Sequence, residues 1–153
     1  MLTAWRIVKA QHAATAFNGD GARLFGGRWN SRGLPVVYAA ASPALAALEL
    51  LVHLGSSGAL AAYISIACRF DERLVLRLDR HRLPKEWRSS PAVPELAVLG
   101  DAWLKDGTSA VLAVPNAIIP AEWNYLLNPM HADFASIEIG TREPFEFDLR
   151  LLQ

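Results

Sequence analysis

Cysteine is nearly absent from this chain. The one copy, Cys68, excludes an internal disulfide and any zinc site built on several thiolates. Histidine is scarce as well: His12, His53, His81 and His131 are scattered with no pair at metal-ligand spacing, so no metal is expected. No sign of charge dominates, because Lys+Arg and Asp+Glu stand at 15 each, with a pI near 6.9. That balance excludes the basic field of a general nucleic-acid binder, and an anionic ligand would have to be held by a local site. No apolar run reaches membrane-spanning length, and the opening MLTAWRIVKAQHAAT has no signal-peptide core. The expectation is a reducing, cytoplasmic setting with no membrane partner.

Other absences narrow the chemistry. Repeats and low-complexity segments are lacking. GDGARL at 19–24 lacks the third glycine of a dinucleotide fingerprint, so a Rossmann site is not supported. No serine sits in a nucleophile elbow, and Cys68 falls in a strand pattern that suits an inert buried thiol. What remains is an ordered chain of 153 residues, 52% apolar and 20% charged, sized for one domain with a real core.

Along the chain, AWRIV predicts a short strand with Trp5 and Ile7 on one face and Arg6 on the other. Residues 11–33 predict a long loop or short helix, and PVVYAA at 35–40 a buried strand. SPALAALELLVHLG is punctuated as a helix: Ser42 as cap, Pro43 in the first turn, Gly55 as stop. Its apolar residues run nearly all round, which predicts a buried helix. YISIACRF (63–70), LVLRL (74–78) and SAVLAVP (109–115) read as strands, and FASIEIG and PFEFDLRL as two more near the end. Pro84, Pro91 and Pro94 break up a polar connection before a helix at 95–107, where Gly100 is the weak point. The segment at 114–131, with Asn116, Asn124, Asn128 and His131 among prolines and aromatics, predicts a rigid polar-lined loop. Strands outnumber helices without βαβ alternation, so the expected class is α+β.

Two stretches point to chemistry. In GGRWNSRG (26–33), glycines leave room for a close approach to the main chain, Arg28 offers a guanidinium fork for phosphate, and Asn30 and Trp29 offer donors and an aromatic face. In the helix, Glu49 stands among leucines. A carboxylate there is either a structural group bonded to a buried hydroxyl or arginine, or a reactive group tuned by desolvation; both readings stand. Tyr38 lies on the preceding strand, joined to the helix by a short turn that could bring Tyr38 and Glu49 to one cleft.

The chain resembles the RES-domain toxins of bacterial RES–Xre toxin–antitoxin modules nearly end to end. The likeness is carried by WRI (5–7), GARLFGGRWN (21–30), Tyr38, ALELLVH (47–53), GDAWL (100–104), VPNAIIP (114–120) and NYLLNPMHADF (124–134). Arg28 and Glu49 match the arginine and glutamate for which that family is named; where its serine is expected, this chain has Asn116. The resemblance implies one RES domain over 1–153, a fold similar to the diphtheria-toxin-like ADP-ribosyltransferases, NAD as substrate, cleavage of its nicotinamide–ribose bond, and a cognate Xre-like antitoxin. Glu49, Arg28 and Tyr38 are then the expected catalytic residues. Arg6, Gly27, Trp29, Asn30 and Asn116 are the expected NAD-binding residues. Transfer of ADP-ribose to a protein, or a catalytically impaired protein that only binds antitoxin, are the alternatives.

Overall fold

Residue alternation builds the central sheet in the computed structural model, which describes residues 1–54, 58 and 61–152. Seven strands, β1 (Leu2–Lys9), β2 (Val37–Ala40), β3 (Tyr63–Phe70), β4 (Val75–Arg77), β5 (Val111–Pro115), β6 (Trp123–Leu127) and β7 (Glu138–Phe145), lie in the order β4-β5-β6-β2-β1-β3-β7. All neighbours are antiparallel except β4 and β5. Among the described residues three α-helices accompany them: α1 (Asp20–Phe25), α2 (Pro43–His53) and α3 (Pro94–Asp106). The class is α+β, as the pattern of strands predicts, and no helix of the described residues is long and apolar enough to cross a membrane.

Period two sorts the side chains between the faces. Register places Tyr38 and Ala40 of β2, Leu112 and Val114 of β5, and Asn124 and Leu126 of β6 on one face. α3 covers half of that face, packing Leu96 and Trp103 with Trp29 onto Leu112, Val114 and Leu126. α2 covers the other half, setting Leu45 and Ala46 on Ile7, Ala40 and Tyr63. The opposite face buries Val37, Ala39, Val111, Ala113, Tyr125 and Leu127 together with Ala4, Cys68 and Phe70. A fully buried valine, leucine or phenylalanine among them contributes roughly 1.5–3 kcal/mol.

The sheet opens between β1 and β2. β1 pairs with β3 along all eight of its residues, yet shares with β2 the single register pair Trp5–Ala40. Arg6 fills the opening. Its Nε donates to the Ala16 carbonyl at 2.6 Å and its Nη1 to the Tyr38 carbonyl at 2.8 Å, capping a β2 acceptor left without a strand neighbour. Burial presses the guanidinium pKa downward. At the far edge of the sheet, β7 is exposed from Glu138 to Pro144.

Three expectations need correction. α2 is not buried: only Leu45 and Ala46 are, and Val52 is 57% exposed, because the helix rests on a sheet surface with no described element on its outer side. Ser42 does cap it, accepting from Leu45 N–H at 3.1 Å; the proposed stop at Gly55 lies outside the described residues. Within the predicted loop at 114–131 runs β6, a buried central strand whose alternation is masked by Asn124. Near the end, the two predicted strands are one, β7, flanked by short 3-10 turns at 132–136 and 149–152.

Candidate active site

The turn at 26–33 is held shut by its own residues. Gly26 and Gly33 adopt φ of +72° and +101°, where a side chain is strained, and Gly27 N–H donates to the Asn30 carbonyl at 3.0 Å. A Cβ on Gly27 would stand 2.6 Å from the Tyr38 hydroxyl, so glycine is needed there for space. That hydroxyl donates to Asn30 Oδ1 at 2.6 Å and accepts from Trp29 N–H at 3.1 Å. Burial pushes the Tyr38 phenol upward, and it stays protonated. Asn30 Nδ2 donates to the carbonyls of Ala22, Ser31 and Leu34, and Trp29, 3% exposed, sits in the core beside α3. Trp29 and Asn30 are thus occupied in shaping the turn, and of the three expected ligand-binding side chains there Arg28 is the one that is not buried and keeps donors to offer.

α3 can approach this turn only because of Gly100. A Cβ there would fall 1.7 Å from the Trp29 carbonyl oxygen. The glycine that weakens the helix in sequence is what docks it.

Glu49 faces the sheet from the middle of α2, where it closes a triangle of side chains. Its Oε1 accepts from Asn124 Nδ2 at 2.6 Å and, in a still shorter bond, from Asn116 Nδ2. Asn116 Nδ2 also donates to Asn124 Oδ1 at 2.8 Å, and Asn124 Nδ2 to the Ala39 carbonyl at 3.3 Å. Asn116 Oδ1 in turn accepts from the N–H groups of Ile118 and Ile119, each at 2.8 Å. A serine hydroxyl, with one proton, could not serve both Glu49 and Asn124. Oε2 of Glu49 takes no bond from any described residue. Burial raises the Glu49 pKa above the usual carboxylate range, while the two amides and the Arg28 charge pull it back.

Arg28 is half-buried and steadied through one nitrogen: Nη1 donates to the carbonyls of Trp87, at 3.1 Å, and Ser89, at 2.9 Å. Desolvation lowers its pKa, against the opposing influence of Tyr38 and Glu49, so each of those two groups lies within electrostatic reach of Arg28. Glu49 is thus bonded to Asn116, Arg28 acts on it through space, and Tyr38 stands on the same face of the sheet as Asn124. Arg6 does not join them, since the register Trp5–Ala40 turns it to the opposite face. Among the described residues no cluster of three or more His, Cys, Asp or Glu side chains converges.

Sequence reasoning gave no role to Asn124, or to the main-chain carbonyls of Trp87 and Ser89. A polar residue at an inward position of WNYLL was the available signal for Asn124. The carbonyls of 87 and 89 had none, since any residue type supplies them.

Residues 3–148 match the RES domain. Over 149 residues the chain is 36% identical to "Toxin Res" of Yersinia enterocolitica, covering 96% of this chain and 97% of that protein. It is 33% identical over 154 residues to the "Prs ADP-ribosylating toxin" of Sphingobium sp., at 97% and 96% coverage. In three dimensions it is similar to a chain of the M. tuberculosis MbcT–MbcA toxin–antitoxin complex. That match has a TM-score of 0.77 and 19% identity over 95% of this chain and 84% of the other, a likeness of fold. By the extent of the domain match and of these relatives, the chain belongs to the RES-domain family.

Proposed function

We propose that this chain is the toxin of a toxin–antitoxin pair and that it consumes NAD by breaking the nicotinamide–ribose bond. The observation that carries the reading is the Glu49 carboxylate, desolvated, held by two amides through Oε1 and within reach of the Arg28 charge. As the C–N bond breaks, its electron pair leaves with the pyridinium, which departs as neutral nicotinamide, and positive charge builds on the ribose. An ionised carboxylate in a low-dielectric site stabilises that charge, and Oε2 can accept a ribose hydroxyl. The bonds from Asn116 and Asn124 favour the charged form of Glu49 and fix it in place. Arg28, anchored by Nη1 alone, has Nε and Nη2 to offer the pyrophosphate. Tyr38 sets the turn that aims Arg28, and Arg6 holds the sheet rather than the substrate.

Incubation of purified protein with NAD labelled in the adenosine half tests this. Release of nicotinamide with free ADP-ribose, or its phosphate ester when phosphate is present, is the expected result; intact NAD overturns it. Label retained on a protein would favour the second reading, protein ADP-ribosylation, which the name of the Sphingobium relative supports. The toxin names of the relatives, and the complex in which the structural neighbour sits, support an antitoxin partner, taken here to be Xre-like.

A further inference from the structure

The proline-broken connection that precedes α3 crosses beside the site and touches both of its walls. Trp87 packs against the cluster around Trp29 and Trp103, which fixes the segment to the core. On one side, the Trp87 and Ser89 carbonyls receive Arg28 Nη1. On the other, the side chain of the residue between them, Arg88, reaches across 29 and 30 positions of sequence. Its Nε donates to the Ala117 carbonyl at 2.9 Å and its Nη2 to the Ile118 carbonyl at 3.3 Å. Those peptides belong to the loop whose Ile118 and Ile119 N–H groups grip Asn116 Oδ1. An amide held by its oxygen has its nitrogen aimed, and the Asn116 nitrogen is aimed at Glu49.

We propose that Arg88 is a positioning residue: by pinning the Ala117 and Ile118 carbonyls it fixes the loop that orients Asn116 on Glu49, and it clasps that loop to the Arg28 turn. Arg88 itself is exposed and its bonds go to the Ala117 and Ile118 carbonyls, with none to Glu49, so it acts through Asn116. The inference rests on Glu49 being the reactive carboxylate, but its test does not require turnover.

The groups that face Glu49 are Asn116 and Asn124 from the β5–β6 region and Arg28 from the turn; on α2 itself the nearest titratable side chain is the exposed His53, one turn on. The experiment is a carbon-13 NMR titration of the Glu49 carboxyl in wild type, Arg88→Ala, Asn116→Ala and the double variant, with Glu49→Gln used to assign the signal. Loss of the Asn116 donor raises the midpoint, because a hydrogen bond to the carboxylate favours its charged form. Arg88→Ala is expected to shift the midpoint upward in the same direction, and the double variant to shift no further than Asn116→Ala alone. An Arg88→Ala midpoint equal to wild type overturns the proposal. So does a double variant that shifts further than Asn116→Ala, since that marks a through-space charge effect. Arg88→Lys, which keeps one donor for the loop carbonyls, is expected to bring the midpoint back toward wild type, and carries the test should the alanine variant fail to fold. If the midpoints move as expected while wild type leaves NAD intact, the positioning role stands and the activity reading fails.

Discussion

Burial drives Glu49 toward its neutral form, and Asn124, Asn116 and Arg28 pull it back. With the folded pKa raised above that of the unfolded chain, the group's contribution to stability is fully present below the unfolded value, about 4.3, and is lost as pH rises through the folded value. Glu49→Gln keeps shape without charge. Its melting temperature is therefore expected to gain on wild type as pH rises through that window and to hold the advantage above it. Nicotinamide release should be absent in the variant at every pH, and in wild type should rise across the same window. Thermal melts and an NAD assay run side by side from about pH 4 to pH 8 check both. On the proposed reading Arg28→Ala removes a charged phosphate contact worth ~2–4 kcal/mol, so KM should rise roughly 30- to 900-fold with kcat largely kept. Unchanged KM would end the clamp role.

α3 approaches the Trp29 turn as closely as backbone allows. Gly100→Ala must push the helix off the turn, because the obstruction is a main-chain carbonyl rather than a flexible side chain. A loss of about 3 kcal/mol or more is expected in urea denaturation, beyond the small gain in helix propensity that alanine brings. At this scale the sequence was readable wherever one period ran unbroken: β1, β3 and β5, and α2 with its Ser42 cap. It was unreadable where a functional residue broke the pattern. Asn124 stands at an inward strand position because it serves Glu49, so β6 looked like a loop. The outer side of α2 was misjudged for another reason, since leucine and valine mark a face as apolar without saying whether anything covers it.

Within the sheet itself, the two halves are joined by one register pair and by the side chain of Arg6. Arg6→Met keeps the bulk of the side chain but leaves the Ala16 and Tyr38 carbonyls without donors, at a cost of roughly 1–3 kcal/mol for each acceptor. The expected result is a lower melting temperature with KM for NAD unchanged well below the melt; a raised KM would return Arg6 to the substrate. The family resemblance named Arg28, Tyr38, Glu49 and Asn116; the bond from Asn116 to Glu49, and the reach of the Arg28 charge to Tyr38 and Glu49, are what the fold adds. The opposite facing of Arg6 needed only the strand alternation of AWRIV combined with the β1–β2 register, which sequence does not supply. The outermost strand, β7, has a consequence of its own. An open ribbon this long would let copies of the chain zip into fibrils, edge to edge. Here Glu138, Arg142, Glu143 and Pro144 line that margin, and a neighbour trying to add itself would have to strand charges and forgo a backbone donor. Copies of the chain are in this way kept from adding to one another along this edge.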